Sequence, residues 1–220
     1  MAFEDAAVLI PAWNEEATIG RVVTAAMEYG RVIVVDDGSS DRTVRCAEKC
    51  GAHVVRHEVN LGYDHALLSG LRACSDLGAA LVVTMDADGQ HDPLVLKDAF
   101  GSLRAGAELV LGCRPRLGRW SEHVVNAYAR VRFGVPDLLC GLKGYRMDLV
   151  HEAGPESVLS SIGTGVALWG LRRGRRVGLL AVPVRPRQGS ARFGAGLTAN
   201  MRILRILVKE MTLSVSGADT

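Results

Sequence analysis

Apolar residues in the first half of the chain fall into short unbroken runs, each ending in a polar loop and each followed by a stretch with helical spacing. Ala6 to Pro11 leads into Asn14-Glu15-Glu16 and then Ile19, Val22, Val23, Ala26 and Met27, one face of a helix. Val32 to Val35 ends in Asp36-Asp37-Gly38-Ser39-Ser40-Asp41-Arg42-Thr43, a loop rich in turn formers that caps a helix over Thr43 to Cys50. His53 to Arg56, the loop Asn60-Leu61-Gly62 and a helix from Tyr63 to Leu77 form a third unit, with Ala66, Gly70 and Ala73 at close-packing spacing. Leu81 to Met85 and a helix from Pro93 to Ala105 form a fourth. Four alternations of strand and helix predict an α/β domain whose mainly parallel sheet is wound by right-handed crossovers.

The fourth strand runs straight into Asp86 and Asp88, one residue apart, and then Gly89-Gln90-His91-Asp92-Pro93. In an open parallel sheet ligands bind at the C-terminal strand ends, and two carboxylates aimed at one spot repel unless a cation lies between them. Oxygen ligands suit Mg²⁺ or Mn²⁺, which keep positions open for substrate phosphates. Gln90 and His91 are near enough to join the shell. An acidic loop that caps the next helix and binds nothing would carry the same residues. The loop after the first strand, Pro11-Ala12-Trp13-Asn14-Glu15-Glu16, has neither the G-x-G-x-x-G of dinucleotide folds nor a P-loop. A bound nucleotide would therefore rely on a cation to neutralise its phosphates, with Asp36, Asp37, Asp86 and Asp88 as the carboxylates at hand.

Composition narrows the setting. A chain of 220 residues suits one well-buried domain, alone or with an appendage. The 26 basic and 24 acidic residues nearly balance, which gives no case for a nucleic-acid partner, although the basic residues bunch in the second half. Five cysteines without a C-x-x-C pair indicate neither a disulfide framework nor a zinc site, and a cytoplasmic location is expected. Met1 to Asp5 is acidic and the apolar run behind it short, unlike a signal peptide. No apolar run approaches the roughly 18 residues of a membrane span.

Pro11-x-x-Asn14-Glu15, Asp36-Asp37-Gly38-Ser39-Ser40-Asp41-x-Thr43, Asn60-x-Gly62 with Ala66 and Gly70, and Asp86-Ala87-Asp88-Gly89-Gln90-His91-Asp92-Pro93 occur in an order and spacing that resemble the family 2 glycosyltransferases with the GT-A fold. Within that family the chain is most similar to the dolichyl-phosphate and polyprenyl-phosphate sugar synthases, over residues 7 to 193. The resemblance implies a GT-A domain over residues 1–197 and a tail over 198–220. It implies that Pro11, Ala12, Asn14, Glu15, Asp37, Gly38, Gly62, Asp86 and Ala87 line the nucleotide pocket, with Asp37 on the base or ribose. Asp86, Asp88 and Gln90 would hold Mg²⁺ or Mn²⁺ against the donor diphosphate. Gly112-Cys113-Arg114 resembles the family's G-x-R, and Asp137-x-x-Cys140-Gly141-x-Lys143-x-x-Arg146 its acceptor segment, which implies phosphate contacts for Arg114 and Arg146. Solvation at the surface is the commoner fate of arginine. Pro186 to Gly194 resembles the basic loop that closes over the phosphates through Arg187 and Arg192. The implied catalytic set is Asp88, Asp137, Arg114, Arg187 and Arg192.

The second half departs from the family where many members place an acid before a helix, since this chain reads Ser160-Ser161-Ile162-Gly163-Thr164-Gly165. A hydroxyl acceptor needs a general base, whereas a lipid phosphate is already anionic. The gap leans toward polyprenyl phosphate as acceptor, with Asp137 or Glu122 as base if the acceptor is a hydroxyl. The donor loops look more like those of UDP-sugar users than of GDP-mannose users. Val177 to Val184 reads as an edge strand containing Pro183. From Thr198 to Val215, Met201, Leu204, Leu207, Val208 and Met211 recur at helical spacing beside Arg202, Arg205 and Lys209. This basic amphipathic helix suits a peripheral membrane contact, core packing or a homodimer contact. The basic clusters Arg114 to Arg119, Arg130 to Arg132 and Arg172 to Arg176 suit an anionic leaflet. The expected activity is inverting sugar transfer from a nucleotide diphosphate donor to polyprenyl phosphate. The other readings are a soluble transferase acting on a small hydroxylated metabolite and a non-catalytic nucleotide-sugar binder.

Overall fold

The four predicted units fold as β1 (Ala6–Ala12) and α1 (Ile19–Ala26), β2 (Arg31–Asp36) and α2 (Thr43–Lys49), β3 (His53–Arg56) and α3 (Tyr63–Asp76), and β4 (Leu81–Thr84) and α4 (Val95–Arg104). The chain continues through β5 (Leu109–Cys113), α5 (Trp120–Phe133), β6 (Lys143–Arg146), α6 (Met147–Ala153), α7 (Pro155–Val158), α8 (Gly165–Arg172) and β7 (Val177–Ala181). The structure is a computed structural model that describes residues 4–158, 163–183, 200, 201 and 203–208.

All seven strands form one sheet in the order β3-β2-β1-β4-β6-β5-β7. β1 to β4 pair parallel, as do β5 and β7, while β6 runs antiparallel between β4 and β5. The mainly parallel α/β expectation therefore holds, with one reversed strand that the sequence pattern did not predict. Lys143-Gly144-Tyr145-Arg146 has no apolar run to mark it, and its place is set by pairing on both sides. β7 is an edge strand as expected, but it ends at Ala181, before Pro183.

Helices cover both faces, so successive strand residues are buried in opposite layers. Leu9, Ile33 and Val35 pack with Leu67 and Leu71 of α3. Val8, Ile10 and Val34 pack with Val22 and Val23 of α1 and with Phe100 of α4. Phe100 is fully buried. Phe100→Ala is expected to cost about 3–5 kcal/mol in a urea melt, the usual cost of an emptied aromatic site. A loss below about 1 kcal/mol would show that the neighbouring side chains collapse into the gap.

Residues 200, 201 and 203–208 are helical and rest on the domain. Ile203 and Ile206 enter the same layer as Leu67, whereas Met201 and Val208 stay exposed. Of the expected line, Leu207 packs against this layer and Leu204 is half-buried, whereas Met201 and Val208 are not part of the layer, and Met211 lies outside the described residues. Ser121 of α5 donates to Asn200 Oδ1 at 2.6 Å and ties the helix to α5. Among the described residues no helix is long and apolar enough to cross a membrane.

Candidate functional site

The C-terminal ends of β1, β2 and β4 open at one edge of the sheet, and the antiparallel β6 brings its first residue, Lys143, to that edge opposite Thr84. A cavity of about 650 Å³ lies there. Its wall includes Pro11, Ala12, Glu15, Asp37, Gly62, Asp86, Ala87, Asp88, Gln90 and Arg114, so ten of the expected site residues share one space.

Asn14 and Gly38 do not line the cavity; they build the loops that do. Asn14 adopts φ 54°, a left-handed conformation that asparagine tolerates. Its N–H donates to Ser39 Oγ at 2.7 Å, and its side-chain oxygen accepts from Ser40 N at 2.8 Å. Glu15 N donates to Thr43 Oγ1 at 2.7 Å and Glu16 N to Asp41 Oδ2 at 3.1 Å, which laces the β1 loop to the β2 loop. Gly38, at φ 73°, lies against the next loop, where a Cβ would come within 2.6 Å of the Val59 carbonyl carbon. Asp37 joins that loop as well. Its carboxylate accepts from Leu61 N at 2.9 Å and Gly62 N at 2.8 Å and meets His57 Nδ1 at 2.8 Å, with His57 Nε2 on Ser69 Oγ at 2.9 Å.

Asp86 and Asp88 are the carboxylates of the β4 end. Asp88 Oδ1 accepts from Gln90 N at 3.0 Å, which curls the loop around it. The buried His91 sets Nε2 at 3.8 Å from Asp86 Oδ2, and His91 Nδ1 has no hydrogen-bond partner among the described residues. Gly141 sits against Asp86 so closely that a Cβ would fall 2.3 and 2.4 Å from the two carboxylate oxygens. Among the described residues no three His, Cys, Asp or Glu side chains form a cage. Two carboxylates facing an open cavity, one cradled by a glycine, fit a hard divalent ion that completes its shell with ligand phosphates and water. Gln90 lines the same cavity.

The same cavity is also lined by cations, Arg114, Arg116 and Arg119, with the buried Lys143 at the β6 end. Burial pushes the Lys143 ammonium below its ordinary pKa against the pull of Asp137 and Asp86, and its Nζ donates to the Cys140 carbonyl. Burial and the Asp86 charge raise the Tyr63 hydroxyl well above its ordinary value.

Asp137, expected as a catalytic residue, is not on the cavity wall. Its carboxylate accepts from Arg114 Nε at 2.7 Å, Arg114 Nη2 at 3.1 Å, Asn126 Nδ2 at 3.0 Å and Leu139 N at 3.1 Å. Burial pushes the Asp137 carboxyl up, but the hydrogen bonds and charge of Arg114 more than reverse this and hold it low. Glu122 accepts from the same guanidinium at 3.2 Å and from Gly118 N at 3.2 Å. Both acids therefore aim Arg114; Glu122 lines the cavity and Asp137 does not. Arg146 falls away from the site for a topological reason. Because β6 is antiparallel to β4, Arg146 pairs with Leu81 at the far end of the strand and forms an ion pair with Asp148 at 3.0 Å. Arg187 and Arg192 lie outside the described residues, as do Ser160, Ser161 and Ile162.

Trp13 and Tyr63 are wall residues without a role in the sequence reading, while Arg116 and Arg119 entered it only within a basic cluster and Lys143 only within the acceptor segment. Lys143 was legible as a member of the Cys140-Gly141-x-Lys143 segment, whereas nothing in the local sequence marks Tyr63, which its helix turns inward.

The family model of glycosyl transferase family 2 matches residues 7–149. The chain is 31% identical over 167 residues to the polyprenol monophosphomannose synthase of Mycolicibacterium smegmatis, covering 66% of this chain and 63% of that one. It is 28% identical over 224 residues to the dolichyl-phosphate hexose transferase of Haloferax volcanii, covering 94% and 96%. Among solved structures, glucosyl-3-phosphoglycerate synthase from Mycobacterium tuberculosis in complex with Mg²⁺ and uridine diphosphate superposes with a TM-score of 0.73 at 25% identity, over 93% of this chain and 78% of that one. The same enzyme in complex with phosphoglyceric acid gives a TM-score of 0.76, at 25% identity and the same coverage. With the family model spanning most of the chain and the GT-A architecture present in its sheet, the protein is a member of glycosyl transferase family 2.

Proposed function

We propose that the protein transfers a sugar, with inversion, from a nucleotide diphosphate donor to an acceptor that carries its own phosphate, with polyprenyl phosphate as first choice. The observation that carries this reading is the mixed charge of one cavity, lined both by Asp86 and Asp88 and by Arg114, Arg116 and Arg119. Asp86, Asp88 and Gln90 would hold Mg²⁺ or Mn²⁺, whose contribution is to neutralise the charge of the leaving diphosphate. The laced β1 and β2 loops hold the nucleotide half, with Trp13 offering a half-exposed ring beside Pro11 and Ala12. Arg114, fixed by Asp137 and Glu122, presents its charge to the acceptor phosphate. An oxygen of that phosphate attacks the anomeric carbon as the bond to the donor diphosphate breaks, and the bonding pair leaves with the nucleoside diphosphate. No proton has to be removed from such a nucleophile, in keeping with acids that are committed to Arg114.

A UDP-sugar is the preferred donor, in line with the uridine diphosphate held by the solved relative. The second reading, a small soluble acceptor, is favoured by the phosphoglyceric acid held by the same enzyme, which shares the anionic chemistry. Release of nucleoside diphosphate is to be measured with polyprenyl phosphate, with 3-phosphoglycerate, with neutral alcohols and with no acceptor. Acceleration by the lipid phosphate alone is expected. Acceleration by 3-phosphoglycerate alone would transfer the assignment to the soluble acceptor, and turnover of neutral alcohols would sink the requirement for a phosphate.

A further inference from the structure

The outer face of α5 carries a pattern that sugar transfer leaves unused. The helix buries Ser121, Glu122, Val125, Asn126 and Ala129. On the opposite side Trp120, Val124, Ala127 and Val131 recur at helical spacing as one exposed stripe, with Val131 at 89% and Trp120 at 56% exposure. A helix with glutamate and asparagine inside and tryptophan and valine outside inverts the arrangement expected of a surface that faces water. Charge around the stripe has one sign. Between Arg114 and Gly134 there are five arginines and one acid, and that acid is the buried Glu122. Arg116, Arg130 and Arg132 are exposed. Arg116 and Arg119 also line the cavity, and Trp120 follows directly, so the stripe begins at the cationic end of the site.

We propose that this face of α5 is a membrane-contact surface for an anionic bilayer. Trp120, Val124 and Val131 enter the acyl boundary while Arg116, Arg130 and Arg132 meet headgroup phosphates. A second copy of the chain is a poorer occupant, because a two-fold interface would set this arginine-rich face against itself with no exposed acid on the helix to compensate. The inference gives the acceptor reading its geometry and rests on that reading for its purpose: a lipid phosphate would stand at the cavity mouth while its chain stays in the bilayer. The surface itself is testable without any acceptor.

Co-sedimentation of the full chain with phosphatidylcholine vesicles, with and without phosphatidylglycerol and free of polyprenyl phosphate, reads the contact directly. Binding is expected only with the anionic lipid and is expected to weaken as salt rises. In the double variant V124D/V131D, whose changes lie on exposed positions, partitioning should fall about tenfold or more while uridine diphosphate binding is retained. Equal partitioning of parent and variant, as a contact through residues 200–208 would give, overturns the proposal. Absence of parent binding to anionic vesicles overturns it too, as does a solution dimer that the double substitution dissociates. Nucleoside diphosphate release with a short water-soluble prenyl phosphate, in the absence of vesicles, tests the acceptor reading separately.

Discussion

Gly141→Ala is expected to lower metal-supported transfer about 100-fold while the protein stays folded. The backbone of Gly141 is not in the left-handed region, so alanine is tolerated there conformationally, but its methyl would need the space held by both Asp86 oxygens. The Asp86 side chain is the mobile party and swings away, which limits the cost to the fold and removes one of two carboxylates from the ion. Disturbing the groups that orient a ligand typically lowers metal affinity or activity about 10- to 100-fold, and displacing the ligand itself belongs at the upper end of that range. Titration of Mn²⁺ into parent and variant, read by calorimetry, with a thermal melt as control, decides the matter. Unchanged Mn²⁺ affinity in a folded variant would remove Asp86 from the ion. Parent activity that survives exhaustive EDTA treatment would remove the ion from the reaction.

The second large effect is expected at Asp137. Its carboxylate is buried among Arg114, Asn126 and Leu139 N, so Asp137→Asn turns an amide toward a guanidinium that has lost its bidentate partner. Removing one member of a buried pair costs about 3–5 kcal/mol. The pH dependence identifies the charge as the cause. Burial pushes the Asp137 carboxyl up and Arg114 brings it below its ordinary 3.8, so the ionised form is favoured in the folded state. Such a group adds stability in full above the unfolded value, and that stability is lost as pH falls through the lower folded value. Urea melts should therefore show a constant gap between parent and variant from about pH 5 to 8 that closes below about pH 4. A gap that persists unchanged at about pH 3 would mean that shape, and not charge, makes Asp137 necessary.

The donor half of the fold was legible because both faces of β1, β2 and β4 are buried, which writes each of them as a nearly continuous apolar run that ends in a polar loop. The Asp86 and Asp88 pair was legible for the same reason, as charge delivered by a buried strand to its own end. Within the loops the sequence did not distinguish a wall residue from a brace. Asn14 and Gly38 stand in the same motifs as Glu15 and Asp37, and only the packed loops show that Asn14 binds the backbone of the β2 loop and that Gly38 makes room for the Val59–Asn60 backbone. The acceptor half was read less well. β6 has neither an apolar run nor clean alternation, so Arg146 was grouped with Lys143 although strand direction places them at opposite ends of the sheet. The helical residues 200, 201 and 203–208 show the same limit, since Ile203 and Ile206 are apolar like their neighbours and only the surface they meet selects them.

The seam between β4 and β6 has a mechanical consequence. Thr84 Oγ1 donates to the Gly141 carbonyl at 2.7 Å and accepts from Lys143 N at 3.1 Å, two residues before Asp86. The strand that ends at the Asp86 and Asp88 loop and the strand that begins at Lys143 are thus joined by a side-chain hydroxyl as well as by their backbone ladder. Under the proposed function, the separation of leaving group and nucleophile follows the span of this strand pair, and a change of substrate length would have to be absorbed by the loops around it.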